Sequence, residues 1–414
     1  TTLEAHSAED TALTAGGRVT TTSADATVNV GDTLDVSAAS TRVRNSGVVD
    51  VFAKEGTRLT STDMAMSVGD EVQILGGNEV VLTTETLALN ADTSAGISAR
   101  GMAMSVNDAL TATVGSATTV TSTDVNVDAG DDITLSGVDA AKVEMATVQV
   151  TTASGLTAEV GTETSVVSQA LKVDVVSDTK VSTADMALEA SGTMSVSGQE
   201  SLTVSAGTVA LDAAQDGTIR MGGDAVLAAG DGIRMASVTA LDVVTGGTAS
   251  VISNELDVSV DSAVRGSMDS LSVGVSDDAT VSVGDDLTVN AKDVRVRGEG
   301  DFDLRTSGAG TVSSNSVDMS VDAGLSVSAG GAVGITSASV DVSSSTSVAV
   351  STGSLSLDSA AATEVFSGTS LTATTTTLEA HSAEDTALTA GGRVTTTSAD
   401  ATVNVGDTLD VSAA

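Results

Sequence analysis

The sequence contains no proline, cysteine, tryptophan or tyrosine, and only three of its 414 residues are phenylalanine. Without cysteine, the chain forms neither disulfides nor thiolate metal sites. Aromatic side chains normally fill the core of a globule of this length, because each one buries a large area. Their scarcity predicts a thin core lined by Val, Ala, Leu, Met and Ile, in a bore too narrow for rings as large as those of Trp and Tyr.

Positive charge is also scarce, because 17 basic residues stand against 56 acidic ones and the formal net charge is −39. Nucleic acids are bound by patches of Lys and Arg, so this balance disfavours nucleic acid and anionic membrane surfaces as partners. A strongly acidic surface keeps a long particle dispersed through self-repulsion. Apolar runs of 18 residues are absent, so no transmembrane helix is predicted. The sequence shows no signal peptide and begins at Thr1, so we expect a mature or excised piece.

Disorder is the alternative that a Ser-, Gly- and Asp-rich chain of high net charge raises. Hydrophobic residues nevertheless make up 41% of the sequence. Val and Thr are abundant, and β-branched residues favour strands. The apolar residues are also regularly spaced, so the composition and the pattern together predict an ordered β protein.

A long repeat is visible at the two ends of the sequence. Residues 1–39 recur without a difference as residues 376–414, at an offset of 375. We interpret residues 1–375 as one tandem repeat unit and residues 376–414 as the start of the next identical unit. His6 and His381 are then one position seen twice. The sequence is either part of a giant chain whose repeats have stayed identical, or a single repeat whose first 39 residues were added again at its end. Both interpretations imply a periodic filament.

A shorter period lies within this unit. Triplets in which two apolar residues flank a polar or small residue recur along the chain, and such alternation is typical of a strand with one buried face. From Leu87 onwards the triplets begin at intervals of 10, 5 and 8 residues, a cycle that sums to 23. The cycle defines three columns, namely Leu87, Leu110, Ile133 and Leu156; Ile97, Val120, Val143 and Val166; Met102, Val125, Val148 and Leu171. A chain that returns to one place every 23 residues through three short strands is predicted to be an elongated, three-sided β-solenoid.

The alternation also assigns side chains to the core or to solvent. Val143 is predicted to face the core, whereas the middle residues of triplets, such as Asn126 and Gln149, are predicted to face solvent. Methionines in the triplets, such as Met64 and Met66, are predicted to fill the core. The interval from residue 171 to residue 186 is 15, which indicates that one face is skipped or renumbered there.

Glycine followed by aspartate separates many of the predicted strands. These pairs are Gly31-Asp32, Gly69-Asp70, Gly130-Asp131, Gly230-Asp231 and Gly284-Asp285. We expect the glycine to supply a positive φ at each corner and the aspartate to accept hydrogen bonds from nearby backbone amides. The absence of proline agrees with strands whose amides almost all donate to the next coil.

The sequence indicates no catalytic, cofactor-binding or metal-binding residue. His6 has no Ser or Asp at a meaningful spacing, and no Walker loop, GxGxxG or HExxH is present. The adjacent carboxylates at Asp131-Asp132, Asp277-Asp278 and Asp285-Asp286 are typical of solvated corners, with structural Ca²⁺ at the Gly-Asp corners as the alternative. Carbohydrate-processing β-helices need aromatic platforms that this chain lacks. We therefore predict a protein that is not an enzyme and needs no cofactor.

Two segments resemble the β-helical repeats of bacterial surface adhesins and of the spike shafts of phage tails and type VI secretion tips. They are Leu13-Thr14-Ala15-Gly16-Gly17 and the segment from Val28 to Val36, VNVGDTLDV. The resemblance lies in an aliphatic–x–aliphatic pattern followed by Gly or Asp, and it implies a rigid shaft or surface fibre without carrying over any functional residue. It also raises a second architecture, an intertwined trimer whose chains each cross three faces in a similar number of residues.

These patterns together predict a structural protein that forms a rigid extracellular or surface filament. Its predicted partners are copies of itself, stacked end to end along the fibre axis. The alternative is an adhesin or spike stalk whose binding head lies outside residues 1–414, with surface or glycan contacts left open.

Overall fold

In the computed structural model the described residues form strands, bends and short connections, with no helix among them. The structure describes residues 2–7, 11–23, 25–92, 94–107, 110–114, 118–121, 124–129, 133–137, 141–144, 147–152, 156–160, 163–168, 170–175, 179–405 and 408–413. The chain divides into two compact units, Thr1–Ala206 and Gly207–Ala414.

The first unit contains strands β1 to β22. In chain order they are Thr2–Ser7, Thr11–Ser23, Asp25–Val30, Thr33–Asn45, Val49–Ala53, Gly56–Val68, Glu71–Gly76, Glu79–Ala91, Ser94–Ser98, Gly101–Val106, Leu110–Val114, Thr118–Thr121, Asp124–Ala129, Ile133–Gly137, Ala141–Glu144, Thr147–Thr152, Leu156–Val160, Glu163–Ser168, Ala170–Val175, Thr179–Ser182, Asp185–Ala190 and Met194–Gly198. Strand β23 is Leu202–Ala213.

The second unit contains strands β24 to β44. In chain order they are Gly217–Met221, Ala225–Ser237, Ala240–Thr245, Thr248–Ser253, Glu255–Val260, Ala263–Val275, Ala279–Val283, Leu287–Gly298, Phe302–Thr306, Gly310–Ser313, Ser316–Val321, Leu325–Ala329, Ala332–Ser337, Ser339–Ser344, Ser347–Ser359, Thr363–Ser367, Ser370–Ser382, Thr386–Ala390, Arg393–Thr397, Asp400–Val405 and Leu409–Ala413.

Strands in the first unit pair in parallel with strands one coil further along the same chain. Leu87 is in register with Leu110, Leu110 with Ile133, and Ile133 with Leu156. The other two predicted columns are in register as well. The predicted three-sided β-solenoid of about 23 residues per coil is therefore confirmed. Because the partner strands belong to one chain, the intertwined trimer is not the architecture of this structure.

Columns of apolar residues also form the core of the second unit. Val294 is in register with Val317, and Val317 with Val340. These three side chains are only 3–5% exposed. Leu355 is likewise in register with Leu378. Each coil therefore buries the inward face of its neighbour, which is the source of stability in a solenoid.

Inward and outward side chains alternate as the triplets predict. Met64 and Met66 are buried, while Ala65 between them is half-buried. Asn126 and Gln149 are exposed, in agreement with the prediction. The side chain of Val143 lies outside the described residues.

The irregular interval after residue 171 comes from a polar residue in an apolar column and from one shortened turn. Thr179 occupies the column position between Leu156 and Leu202, and it is 4% exposed. The face is therefore present, but its inward residue is polar and the triplet pattern does not detect it. The next two paired strands are offset by 22 residues instead of 23, because Thr164 is in register with Met186. This is the shortened turn.

The expectation that corner glycines supply a positive φ is wrong for the described residues, where no glycine has one. Stacked corners instead leave no room for a side chain. A Cβ added to Gly69 would lie 2.7 Å from the carbonyl oxygen of Ser46, and one added to Gly284 would lie 1.8 Å from that of Asp261. The pair Gly31-Asp32 is a bend as predicted, Gly230-Asp231 lies inside a strand instead, and Gly130-Asp131 lies outside the described residues.

Buried hydroxyls form a second type of corner, which the sequence analysis missed. Ser359, which is 3% exposed, donates from Oγ to the carbonyl oxygens of Ala338 and Ala362, both at 3.1 Å. Ser344 and Ser367 bridge two carbonyl groups in the same way. One acceptor lies on the preceding coil, and the other lies at or just before the start of the next strand of the same coil. Each hydroxyl therefore links two coils at the corner where the chain turns.

The bore accepts the ring of one phenylalanine, although a core lined only by Val, Ala, Leu, Met and Ile was expected. Phe302 is 7% exposed and lies in register between Ala279 and Leu325. The small Ala279 leaves the space that the ring occupies. Phe52 and Phe366 point outward and are 44% and 49% exposed.

Candidate functional site

His381 lies in an outward-facing column between Asp358 and Asn404, which precede and follow it by one coil. Its Nδ1 is 3.1 Å from the Nδ2 of Asn404, which donates to it. The column borders a shallow depression on the second unit. His6 is in register with Asn29, the equivalent of Asn404, but its side chain lies outside the described residues. The imidazole of His381 is thus hydrogen-bonded to an amide, and no nucleophile among the described residues is hydrogen-bonded to it.

The adjacent carboxylates of the second unit bind backbone amides of the following coil. The Oδ1 of Asp278 accepts from the amide of Asp301 at 2.9 Å, and the Oδ1 of Asp286 accepts from the amide of Ala309 at 2.7 Å. The Oδ1 of Asp301 accepts in turn from Gly324 at 2.7 Å. These three aspartates do not belong to the Gly-Asp pairs named above, and their bonds link successive coils, so the expected bond from an aspartate of those pairs to a nearby amide stays a prediction. The pair Asp131-Asp132 lies outside the described residues.

Three acidic residues are stacked in one column on the outside of the second unit. Asp318 is in register with Asp341, and Asp341 with Glu364. Partial burial, together with the charges of Asp318 and Glu364, raises the pKa of the Asp341 carboxyl above its usual value. Arg295 offsets the first charge, because its Nε lies 3.3 Å from the Oδ2 of Asp318. The column therefore concentrates negative charge at Asp341, which has no such partner among the described residues.

Some cations on the outer faces lie beside a carboxylate of the same or a neighbouring coil. Such pairs join Arg58 to Asp35 and Glu79, Lys172 to Asp174, Arg234 to Asp212, Arg265 to Asp242, Arg295 to Asp318 and Arg305 to Asp303. Partial burial of Asp174 opposes its ionisation. Hydrogen bonds from Lys172 and Ser197 outweigh that effect and hold the pKa of Asp174 below its usual value. Exposed pairs of this kind each contribute about 0–1 kcal/mol to stability.

The inward face of each coil is apolar, and a neighbouring coil buries it. Leu34 and Leu409 occupy the same position in the two identical 39-residue segments. Leu34 lies in register between Thr11 and Thr57 and is 5% exposed. Leu409 is in register with Thr386, and it is 50% exposed, without a second partner among the described strands. One further coil thus removes about half of a leucine from water, which is worth about 1 kcal/mol at this position alone.

The described residues contain no group of three or more acidic or histidine side chains placed to hold a metal ion. Calcium at the Gly-Asp corners stays a prediction. Within the same part of the chain, no helix is long and apolar enough to cross a membrane. Comparison with known protein families, with curated proteins and with solved structures found no match.

Proposed function

We propose that this chain is a structural protein that forms a rigid filament on a cell surface or outside the cell, from tandem β-solenoid repeats. The observation that carries the proposal is the regular parallel register, in which Leu87, Leu110 and Ile133 are stacked one coil apart and are each at most 5% exposed. Each coil therefore covers the inward face of the coil before it. The exact recurrence of residues 1–39 as residues 376–414 favours continuation of this stack by a further copy of the unit.

The outer faces support a structural role rather than an enzymatic one. They present rows of Ser, Thr, Asp and Gly, and the described histidine binds an asparagine. Corner hydroxyls and aspartates serve to join coils, as Ser359 and Asp278 do. The acidic surface keeps long particles apart from one another through repulsion. The partners we propose are copies of the same repeat, stacked end to end.

Particle length tests the proposal directly. At 23 residues and about 4.8 Å per coil, a 375-residue unit adds about 78 Å of length. Chains with one, two and three units, measured in electron micrographs, should lengthen by that step. Fibre diffraction should show a meridional spacing of about 4.8 Å. Compact particles whose length does not grow with the number of units would overturn the filament proposal.

Location is tested separately, with antibodies against the chain and intact cells of the source. We expect labelled filaments on or outside the cells. Labelling that appears only after the cells are opened would overturn the surface assignment and leave the measured particle length valid.

A further inference from the structure

The outer face of strand β4 carries two neighbouring cations. Arg42 and Arg44 flank Val43 on this strand, and they face outward because the inward residues there are Thr41, Val43 and Asn45. Two residues along a strand correspond to about 6.6 Å, so the two guanidinium groups lie side by side on one face. Positive charges this close repel each other unless an anion lies between them.

The residues in register with this arginine pair carry no charge, and the nearest charged residues are Arg18 and Asp63, which are in register with Ser40 two residues away. Arg42 is in register with Thr20 on the preceding coil and with Ala65 on the following one. Arg44 is in register with Thr22 and Ser67. Neither arginine makes an ion pair with any residue that the structure describes. They differ in this from the paired cations such as Arg58 and Arg295, in a protein whose acidic residues outnumber its basic ones by 56 to 17.

Hydrogen-bond donors complete the arrangement. The hydroxyl groups of Thr20, Thr22 and Ser67 belong to exposed residues on the same face as the arginine pair. The carboxylate of Asp63, on the following coil, accepts from the hydroxyl of Thr86 at 3.1 Å. Guanidinium and hydroxyl groups are the donors that proteins use for sulfate and phosphate groups.

We propose that Arg42 and Arg44, with the hydroxyls of Thr20, Thr22 and Ser67, bind a single tetrahedral oxyanion, a sulfate or phosphate group. The net charge of −39 repels a long polyanion, whereas it leaves one small anion free to approach a local positive patch. The group is either a free inorganic ion or the ester of a small sugar. The proposal does not depend on filament formation.

The chain supplies a matched control in the second unit. Arg295, Val296 and Arg297 repeat the Arg-Val-Arg sequence on strand β31, and both arginines are exposed. There Arg295 is paired with Asp318. Because a carboxylate lies beside this second tripeptide, we expect it to bind an added anion more weakly than Arg42 and Arg44 do.

The test is a titration of the full chain with sodium sulfate, sodium phosphate and galactose 6-sulfate, with sodium chloride at matched ionic strength as the reference. Nuclear magnetic resonance of the arginine Nε–H groups reports which side chains respond. We expect saturable shifts at Arg42 and Arg44, with a dissociation constant of about 1 mM. If sulfate or phosphate binds more tightly than galactose 6-sulfate, the ligand is a free inorganic ion. If galactose 6-sulfate binds more tightly than both ions, the ligand is a sugar ester.

Two double variants decide whether the site is specific. R42Q/R44Q should weaken binding about tenfold or more, whereas R295Q/R297Q should change it less than about twofold. Thermal melting of both variants checks that the fold is retained. The proposal is overturned if no probe gives saturable shifts beyond those of chloride. Equal loss of binding in the two variants would overturn it as well, because that result describes general attraction to any arginine.

Discussion

Ile74 and Leu75 are neighbours on one strand with side chains of nearly equal volume, but Ile74 is 3% exposed and Leu75 is 38% exposed. Ile74 lies in the core column between Val51 and Ile97, whereas Leu75 lies outside, beside Phe52. The orientation of the strand, and not the hydrophobicity of the residue, decides which of the two is buried.

This pair gives the first prediction. Ile74→Asp places an unpaired charge in the core and should lower the free energy of unfolding by about 3 kcal/mol or more. Leu75→Asp should change it by about 0.5 kcal/mol or less. Denaturant titration of the two variants measures the difference. Similar losses in both would show that the strand has no buried face.

Gly77 and Gly274 test whether close backbone approach is what requires glycine. A Cβ at Gly77 would lie 1.6 Å from the carbonyl oxygen of Lys54, whereas a Cβ at Gly274 would meet nothing within 4 Å. Gly77→Ala should therefore cost about 1–3 kcal/mol of unfolding free energy. Gly274→Ala, within a strand, should be neutral or stabilise by about 0.5 kcal/mol. Thermal melting compares the two, and a harmless Gly77→Ala would contradict the corner geometry.

The buried corner hydroxyls should contribute measurably to stability. Ser367 is fully buried, and its Oγ lies 2.9 Å from the carbonyl oxygen of Thr346 and 2.8 Å from that of Ser370. Ser367→Ala should cost about 1 kcal/mol, because it removes a buried hydroxyl that donates to carbonyl oxygens on both sides of the corner. Ser328→Ala, on an exposed position of strand β35, is the control and should be neutral. Equal effects in urea unfolding would rule out a role for the hydroxyl.

The stacked carboxylates predict a dependence on pH. Since the pKa of Asp341 is raised in the folded chain, the proton is bound more tightly there than in the unfolded chain. This contribution to stability is present below the unfolded value of about 3.8 and is lost as the pH rises through the folded pKa. Asp341→Asn should thus stabilise the chain by about 0.2–1 kcal/mol at pH 7, and the gain should vanish at low pH.

Asp174 is the matched case of opposite sign. Its lowered pKa contributes stability above the unfolded value, which is lost as the pH falls through the folded pKa. Asp174→Asn should therefore destabilise the chain at pH 7 and have no effect at low pH. Melting curves of both variants from pH 2 to pH 7 test the two signs, and the same sign in both would refute the electrostatic account.

Most of the fold could be predicted from the sequence, because a solenoid repeats one local pattern. The 23-residue cycle and the inward positions of Met64 and Met66 follow from alternation alone. The inward position of Thr179 could not be predicted, because a pattern of polar and apolar residues does not distinguish a buried threonine from one that faces solvent. The corner role of Ser359 was missed as well, because one of its two acceptors, Ala338, lies on the preceding coil and is 21 residues away in the sequence.

The sequence by itself determined the three-sided coil, its period and the identity of the two 39-residue segments. Hydrophobic alternation and exact repetition are both visible in the order of the residues, without any knowledge of the structure. The tertiary structure alone decided that corner glycines are required by the neighbouring coil rather than by a positive φ. It also decided that the hydroxyl of Ser359 is buried at a corner, where it donates to a carbonyl oxygen of the preceding coil. The physical reason is common to both, since in a solenoid the environment of a residue is set by the coils on either side of it, one period away in the chain.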